Sequence, residues 1–165
     1  MNPDELYSYL GIEKDLVIGF SILFSRLEYS LKRTFDYALG NENEVQANWD
    51  KFASDHNGSF NPHRTKQLSE AVACLVKNPP CKQVLKNGVL DWKPMESQNA
   101  PPLIELICSV RMVRNNLFHG GKFPIPTGSV DDVGRNVKLL QSSITILQEC
   151  LLLNDGIRGF FYEKG

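Results

Sequence analysis

Ser109-Val-Arg-Met-Val-Arg-Asn-Asn-Leu-Phe-His-Gly-Gly-Lys122 overlaps the end of an apolar run, Leu103-Ile-Glu-Leu-Ile-Cys-Ser-Val110. Gly120 and Gly121 follow the last periodic residue, the usual place for a helix C-cap, because glycine takes φ > 0 without strain. At the other end Pro101 or Pro102 opens the helix, where a missing N–H costs nothing. The spacing therefore predicts a helix from there to His119. At about 100° per residue, Leu103, Leu106, Ile107, Val110, Val113 and Leu117 share one face, and Arg114 falls on the same side. A guanidinium keeps its proton, so it tolerates burial only when paired. Asn115 and His119 are four apart and stack along the helix, with Arg111 one turn before them. His119 sits in the last turn, where the helix C-terminus favours imidazolium. A cation, an amide and a titratable base on neighbouring faces suit a phosphate.

Outward from this helix the pattern stays helical. Phe20, Leu23, Phe24, Leu27, Leu31, Phe35 and Ala38 form one stripe between Lys14 and Leu39, ended by Gly40-Asn41. Asn2 and Pro3 can start a short helix before it. Glu28 lies at the edge of the stripe. It either pairs with Lys32 four residues on, worth ~0.3–0.5 kcal/mol, or reaches a cation on another helix, for which Arg114 is the candidate. Residues 42–55 read as a second helix, with Val45, Trp49 and Phe52 on one side, broken by the turn-rich His56-Asn-Gly-Ser-Phe-Asn-Pro62. A third spans Pro62 to Lys77, with Leu68, Val72 and Leu75 inward and His63 solvated.

Residues 81–100 are the least helical. Val84-Leu85, Lys86-Asn87-Gly88 and Val89-Leu90 read as a short hairpin, since Asn-Gly supplies positive φ, with Trp92 packed on the helices. Beyond the central helix, Lys122-Phe-Pro-Ile-Pro-Thr-Gly128 is a stiff loop, and Ser129 or Asp131 can cap the next helix. Val133, Val137, Leu140, Ile144, Leu147 and Leu151 make its stripe, which Asn154-Asp-Gly156 ends. Ile157-Arg-Gly-Phe-Phe-Tyr162 is too apolar to hang free and should dock on this protomer or on a partner. The fold class expected is an all-α up-and-down bundle, one domain over residues 1–165, with an irregular or short hairpin insertion around residues 81–100.

Arg114-Asn115-Asn116-Leu117-Phe118-His119 resembles the signature of the HEPN domains: an arginine, a polar residue, then a histidine four to six positions after the arginine. Phe24-Ser-Arg-Leu-Glu-Tyr-Ser-Leu-Lys-Arg33 is similar to the first helix of one bacterial branch. HEPN domains are small, helical and commonly dimeric, and many are metal-independent endoribonucleases in toxin, anti-phage and RNA-processing systems. The resemblance implies a homodimer through the signature helix and cleavage to a 2′,3′-cyclic phosphate without metal. In one toxin subgroup a tyrosine two residues after the histidine is modified by a partner nucleotidyltransferase. Here that position is Gly121.

The chemistry of the residues fits such a role. Imidazole titrates near pH 6.5, so His119 can take and give protons around neutrality. Arg114 can hold the scissile phosphate and stabilise charge building on it. Asn115 orients the imidazole or donates to a phosphate oxygen. Arg111, Asn116 and Lys122 are the substrate-binding candidates, with Glu28 orienting Arg114. One geometric constraint applies: five residues leave Arg114 and His119 roughly 140° apart on a rigid helix. Either the Gly120-Gly121 end unwinds or two protomers contribute. Against catalysis stands a structural reading, with Arg114 a buried strut on Glu28 and His119 a helix cap.

The net charge of −1 excludes a generic polyanion binder, so RNA would need a local basic patch. No apolar run reaches a membrane span, and the acidic Met-Asn-Pro-Asp-Glu is unlike a signal peptide. Cys74, Cys81, Cys108 and Cys150 lack CxxC spacing and read as reduced core thiols of a cytoplasmic protein. No carboxylate and histidine cluster has metal-ligand spacing, so no cofactor is expected. The rivals to a nuclease with an antitoxin or regulatory partner are a non-catalytic HEPN-like dimer that binds nucleotide or RNA, and a plain interaction scaffold.

Overall fold

A computed structural model describes residues 2, 5, 7, 10–96, 102–119 and 133–164. Among them are six α-helices, a 3-10 turn and two antiparallel hairpins. Helix α1 (Lys14–Arg33) buries Val17, Phe20, Phe24, Leu27 and Leu31, and its charges, Asp15 at the start and Lys32 and Arg33 at the end, suit the helix dipole. It stops six residues before the predicted Leu39. Thr34 turns extended at φ −90°, ψ 115°, and the 3-10 turn Phe35–Tyr37 follows. That turn sends Phe35 outward, 93% exposed, and brings Tyr37 inside. The Tyr37 ring meets Phe52 edge-on at 5.5 Å, a contact that a continuing helix would forgo.

The predicted helix over residues 42–55 is also corrected. Strands β1 (Ala38–Gly40) and β2 (Val45–Ala47) pair in its place, with Ala38 opposite Ala47. The connection is made of turn chemistry: Asn41 Oδ1 accepts from the Asn43 N–H at 2.8 Å. A Cβ on Gly40 would lie 2.1 Å from the Glu44 carbonyl oxygen, so only glycine lets the strands approach. Helix α2 (Trp49–His56) begins where Asn48 caps the Lys51 N–H, and buries Trp49, Phe52 and Ala53. Val45 is exposed on its strand. The chain is thus mostly helical with two small sheets, not purely all-α.

Helix α3 (Lys66–Lys77) starts four residues later than predicted, because Thr65 caps the Leu68 N–H. It buries Leu68, Ala71 and Leu75, leaving Val72 half-buried. The hairpin at Asn87-Gly88 is present and longer than its apolar dipeptides suggested. Strands β3 (Cys81–Lys86) and β4 (Val89–Pro94) pair over six residues each, with φ of 53° at Asn87 and 79° at Gly88, the positive values of a type I′ turn. Trp92 is half-buried.

Helix α4 (Pro102–Phe118) carries the signature, and its predicted apolar face is the buried one. A distant side chain serves its first turn: Asn57 Oδ1 accepts from the Leu103 N–H at 3.1 Å. Helix α5 (Val133–Leu152) packs against α1, α3 and α4. Its central position explains why Leu139, Ser143, Ile146 and Cys150 are buried in addition to the predicted Leu140, Leu147 and Leu151. Val133 is exposed. The proposed caps Ser129 and Asp131, the Lys122–Gly128 loop, Gly120-Gly121 and the helix start at Pro3 lie outside the described residues.

The aromatic tail is a helix, α6 (Asp155–Tyr162), capped by Asn154 through the Ile157 N–H. It docks on α1 of the same chain. Arg26 of α1 donates to the carbonyls of Phe161 at 2.9 Å and Phe160 at 3.2 Å, and to that of Glu163. Those carbonyls end a helix and lack internal partners, so a cation satisfies them and the dipole together. Arg33 covers the Phe160 ring at 4.6 Å.

Arg64 and Glu149 make the pair that spacing could not reveal. Glu149 lies on α5 with 5% of its side chain exposed, and Arg64 grips it bidentately at 2.7 and 2.5 Å. This ties the loop before α3 to the central helix. No helix among the described residues is long and apolar enough to cross a membrane.

Candidate functional site

The last turns of α4 place Arg114 and Asn115 at the surface, and His119 follows directly after Phe118. Val113 and Leu117 are buried, which turns Asn115 outward and leaves Arg114 at the rim of the buried face. Its side chain is 37% exposed, so it is no buried strut. The guanidinium lies between two rings, 5.3 Å from the centroid of Phe24 and 5.7 Å from that of Phe118. Nη2 stands 3.9 Å from Glu28 Oε2, a loose pair that steers more than it neutralises. Glu28 therefore reaches across to α4, the second of its two expected roles. Nη1 donates to Asn115 Oδ1 at 3.1 Å.

His119 lies just beyond the helix in a turn and is exposed. Its own N–H still bonds the Asn115 carbonyl at 2.8 Å, so the backbone follows the helical path to this point. Among the described residues its ring has no hydrogen-bond partner. A helix-capping role for the imidazole is not what this geometry holds.

Two substrate-binding assignments change. Asn116 is 7% exposed, and its Nδ2 donates to the Cys81 carbonyl at 2.6 Å. It straps β3 to α4, because at its angle on the helix it faces the hairpin. Asn116→Ala should leave that carbonyl unpaired and destabilise the fold by about 1–3 kcal/mol, read as a lower thermal midpoint. Arg111 is not a bare source of positive field: its Nη1 meets Asp50 Oδ1 of α2 at 3.0 Å. Lys122 lies outside the described residues.

Arg111 and Asn115 also face a groove of about 460 Å³ between α4 and the β3–β4 hairpin, lined as well by Lys82, Lys93, Glu96 and Met112. Both lysines were missed. The signal was present, since counting outward from Asn87-Gly88 sets Lys82 opposite Lys93, as found. Lys93 bonds Glu96 at 2.6 Å. That contact, and Lys82 beyond it, hold the Glu96 carboxyl below its ordinary range.

The other histidines lie elsewhere. His63 is exposed, 3.4 Å from the Ser69 hydroxyl. His56 is half-buried at the end of α2, with the Tyr37 hydroxyl 3.0 Å and Asn154 Nδ2 3.4 Å from its Nε2. An Nε2 that accepts from both belongs to neutral imidazole. Burial pushes the His56 pKa below its ordinary value, with Lys51 adding to this and Asp55 opposing it. Between the folded value and the unfolded value near 6.5, the unfolded chain binds more protons. Stability from this group should therefore rise with pH through that window and fall on acidification. Melting at pH 7.5 and pH 5 should show the loss in the wild type and a smaller one in His56→Gln.

The four thiols are free, and burial pushes Cys150 up to about 12, leaving it inert as a nucleophile. No group of three metal-ligating side chains occurs among the described residues. No family model, curated protein or solved structure matches the chain.

Proposed function

We propose that the protein is a HEPN-like, metal-independent endoribonuclease that works as a homodimer. The observation that carries this reading is the end of α4: an exposed His119 one turn beyond Asn115, whose Oδ1 accepts from an Arg114 steadied by two aromatic rings. In cleavage, the ribose 2′-hydroxyl attacks the adjacent phosphorus and its proton passes to a general base. The 5′-oxygen leaves with a proton from a general acid. The products are a 2′,3′-cyclic phosphate and a 5′-hydroxyl. His119 fills one of these proton-transfer roles. Arg114, held half-exposed, supplies charge to the phosphorane through the N–H groups that Glu28 and Asn115 do not occupy. Asn115 sits where its amide can donate to a phosphate oxygen.

A dimer suits this surface. Phe118 is 57% exposed beside Arg114, and a second α4 laid against it would bring two sets of the same residues to one cleft. That also answers the angular separation of Arg114 and His119, since contacts to one phosphate could come from different protomers. The setting most in keeping with the reading is a cytoplasmic toxin or anti-phage effector held in check by an antitoxin or regulatory partner. A second reading has one observation of its own: Arg114 and Arg111 each already face a carboxylate, Glu28 and Asp50. Such pairing favours a non-catalytic dimer that binds RNA or nucleotide, or serves as a scaffold. Incubating RNA with the purified protein in EDTA and analysing the 3′ ends decides between them. Cyclic phosphate ends support the nuclease; intact RNA with a folded dimer supports the binding module.

A further inference from the structure

We infer that the groove between α4 and the β3–β4 hairpin holds the phosphodiester backbone of a single RNA strand beside the scissile phosphate. This deepens the RNA reading above and rests on it. The chain as a whole carries a net charge of −1, yet Lys82 of β3 and Lys93 of β4 meet here beside Arg111 of α4, whose charge is shared with Asp50. Among the described residues Glu96 is the one acidic side chain in the lining.

The two lysines stand directly opposite in the strand register. Like charges in that position weaken a hairpin, and both side chains are exposed, so packing does not require them. Among the described residues Lys82 has no salt-bridge partner. Glu96 supplies Lys93 with a partial internal substitute for an anion. A strand phosphate entering the groove would displace that carboxylate and meet both lysines.

Placement ties the groove to the candidate reaction centre. Arg111 and Asn115 line it, and His119 follows at the same four-residue step, about 12 Å along the axis from Arg111 at 1.5 Å per residue. A strand lying along α4 would pass from the lysines to the imidazole. The hairpin, strapped to α4 by Asn116 and Cys81, is thereby a strand-positioning element and not only an insertion.

The test uses the full chain carrying His119→Ala, so that binding is read without cutting, and a labelled single-stranded oligoribonucleotide over a series of salt concentrations. Lys82→Ala and Lys93→Ala should each weaken binding roughly three- to tenfold and reduce the salt slope by about 0.7. Glu96→Gln should tighten it. Melting should hold or rise in the lysine variants, because a like-charge pair is relieved. Unchanged affinity and slope in the double lysine variant would overturn the groove, as would a mononucleotide that competes as well as the strand. In the His119 background of the wild type, cleavage with an unchanged KM in the double variant also removes the groove and leaves the nuclease standing. Groove-dependent binding by a wild type that makes no cyclic phosphate supports the groove and overturns the nuclease.

Discussion

His119→Ala is expected to lower RNA cleavage by about 10²–10⁴-fold, the usual contribution of a positioned general acid or base. The fold should be unaffected. The imidazole is exposed and without a hydrogen-bond partner among the described residues, and the only bond made there is through the backbone N–H, which alanine keeps. Surface substitutions of this kind stay within about 0.5 kcal/mol. The comparison is therefore clean: equal melting, equal oligomeric state, and activity lost. If His119→Ala cut RNA as fast as the wild type, the reaction centre would lie elsewhere and the signature would be a structural remnant. Arg114→Ala should also lose activity. Its loss of stability should be small, since the pair with Glu28 is long and partly solvated.

The largest expected effect on stability comes from Phe52→Ala. Phe52 is fully buried, edge-on to Tyr37 at 5.5 Å and 4.9 Å from the His56 ring. Truncation removes the ring and leaves a void in a region where three elements meet, at a cost of about 3–5 kcal/mol. That is a large share of a typical folding free energy of about 5–15 kcal/mol, and for this chain length implies a midpoint lower by roughly 10 °C. Phe52→Leu should cost much less. A second readout goes with the first. The cavity would admit water beside His56 and weaken the burial that depresses its pKa, so the acid-side loss of stability should shrink in Phe52→Ala. A destabilised variant with an undiminished pH response would place the cause of that depression outside the Phe52 contact.

The helices that sequence reading located well are those where a long apolar period had no competitor. α4 and α5 repeat by threes and fours over many turns, and the tertiary contacts agree with the local signal. Around residues 34–48 the two disagree. Phe35 and Ala38 continue the stripe of α1 and Val45 sits at helical distance from Trp49, yet Tyr37 gains more by docking on Phe52 and His56 than by staying helical. Gly40-Asn41 reads as a helix end and Glu42-Asn-Glu44 as the start of the next helix, whereas the Asn41 side chain makes a hairpin turn between two strands. At the candidate site, Arg114, Asn115 and Glu28 were legible because helix geometry places them. The roles of Arg111 and Asn116 were not. Their partners, Asp50 and Cys81, are 61 and 35 residues away, and nothing local announces them. Arg64 and Glu149, 85 residues apart, are a purer case.

The way Arg26 holds α6 has an evolutionary consequence. Its contacts are to peptide oxygens, which every amino acid presents alike. Side chains on the outer face of that final helix can therefore drift among descendants without loosening the clamp. Length cannot. One inserted residue would rotate each oxygen by about 100° and leave the guanidinium facing a side chain. The segment should accordingly tolerate many substitutions and few indels, with the arginine on α1 constant while the aromatics it anchors change.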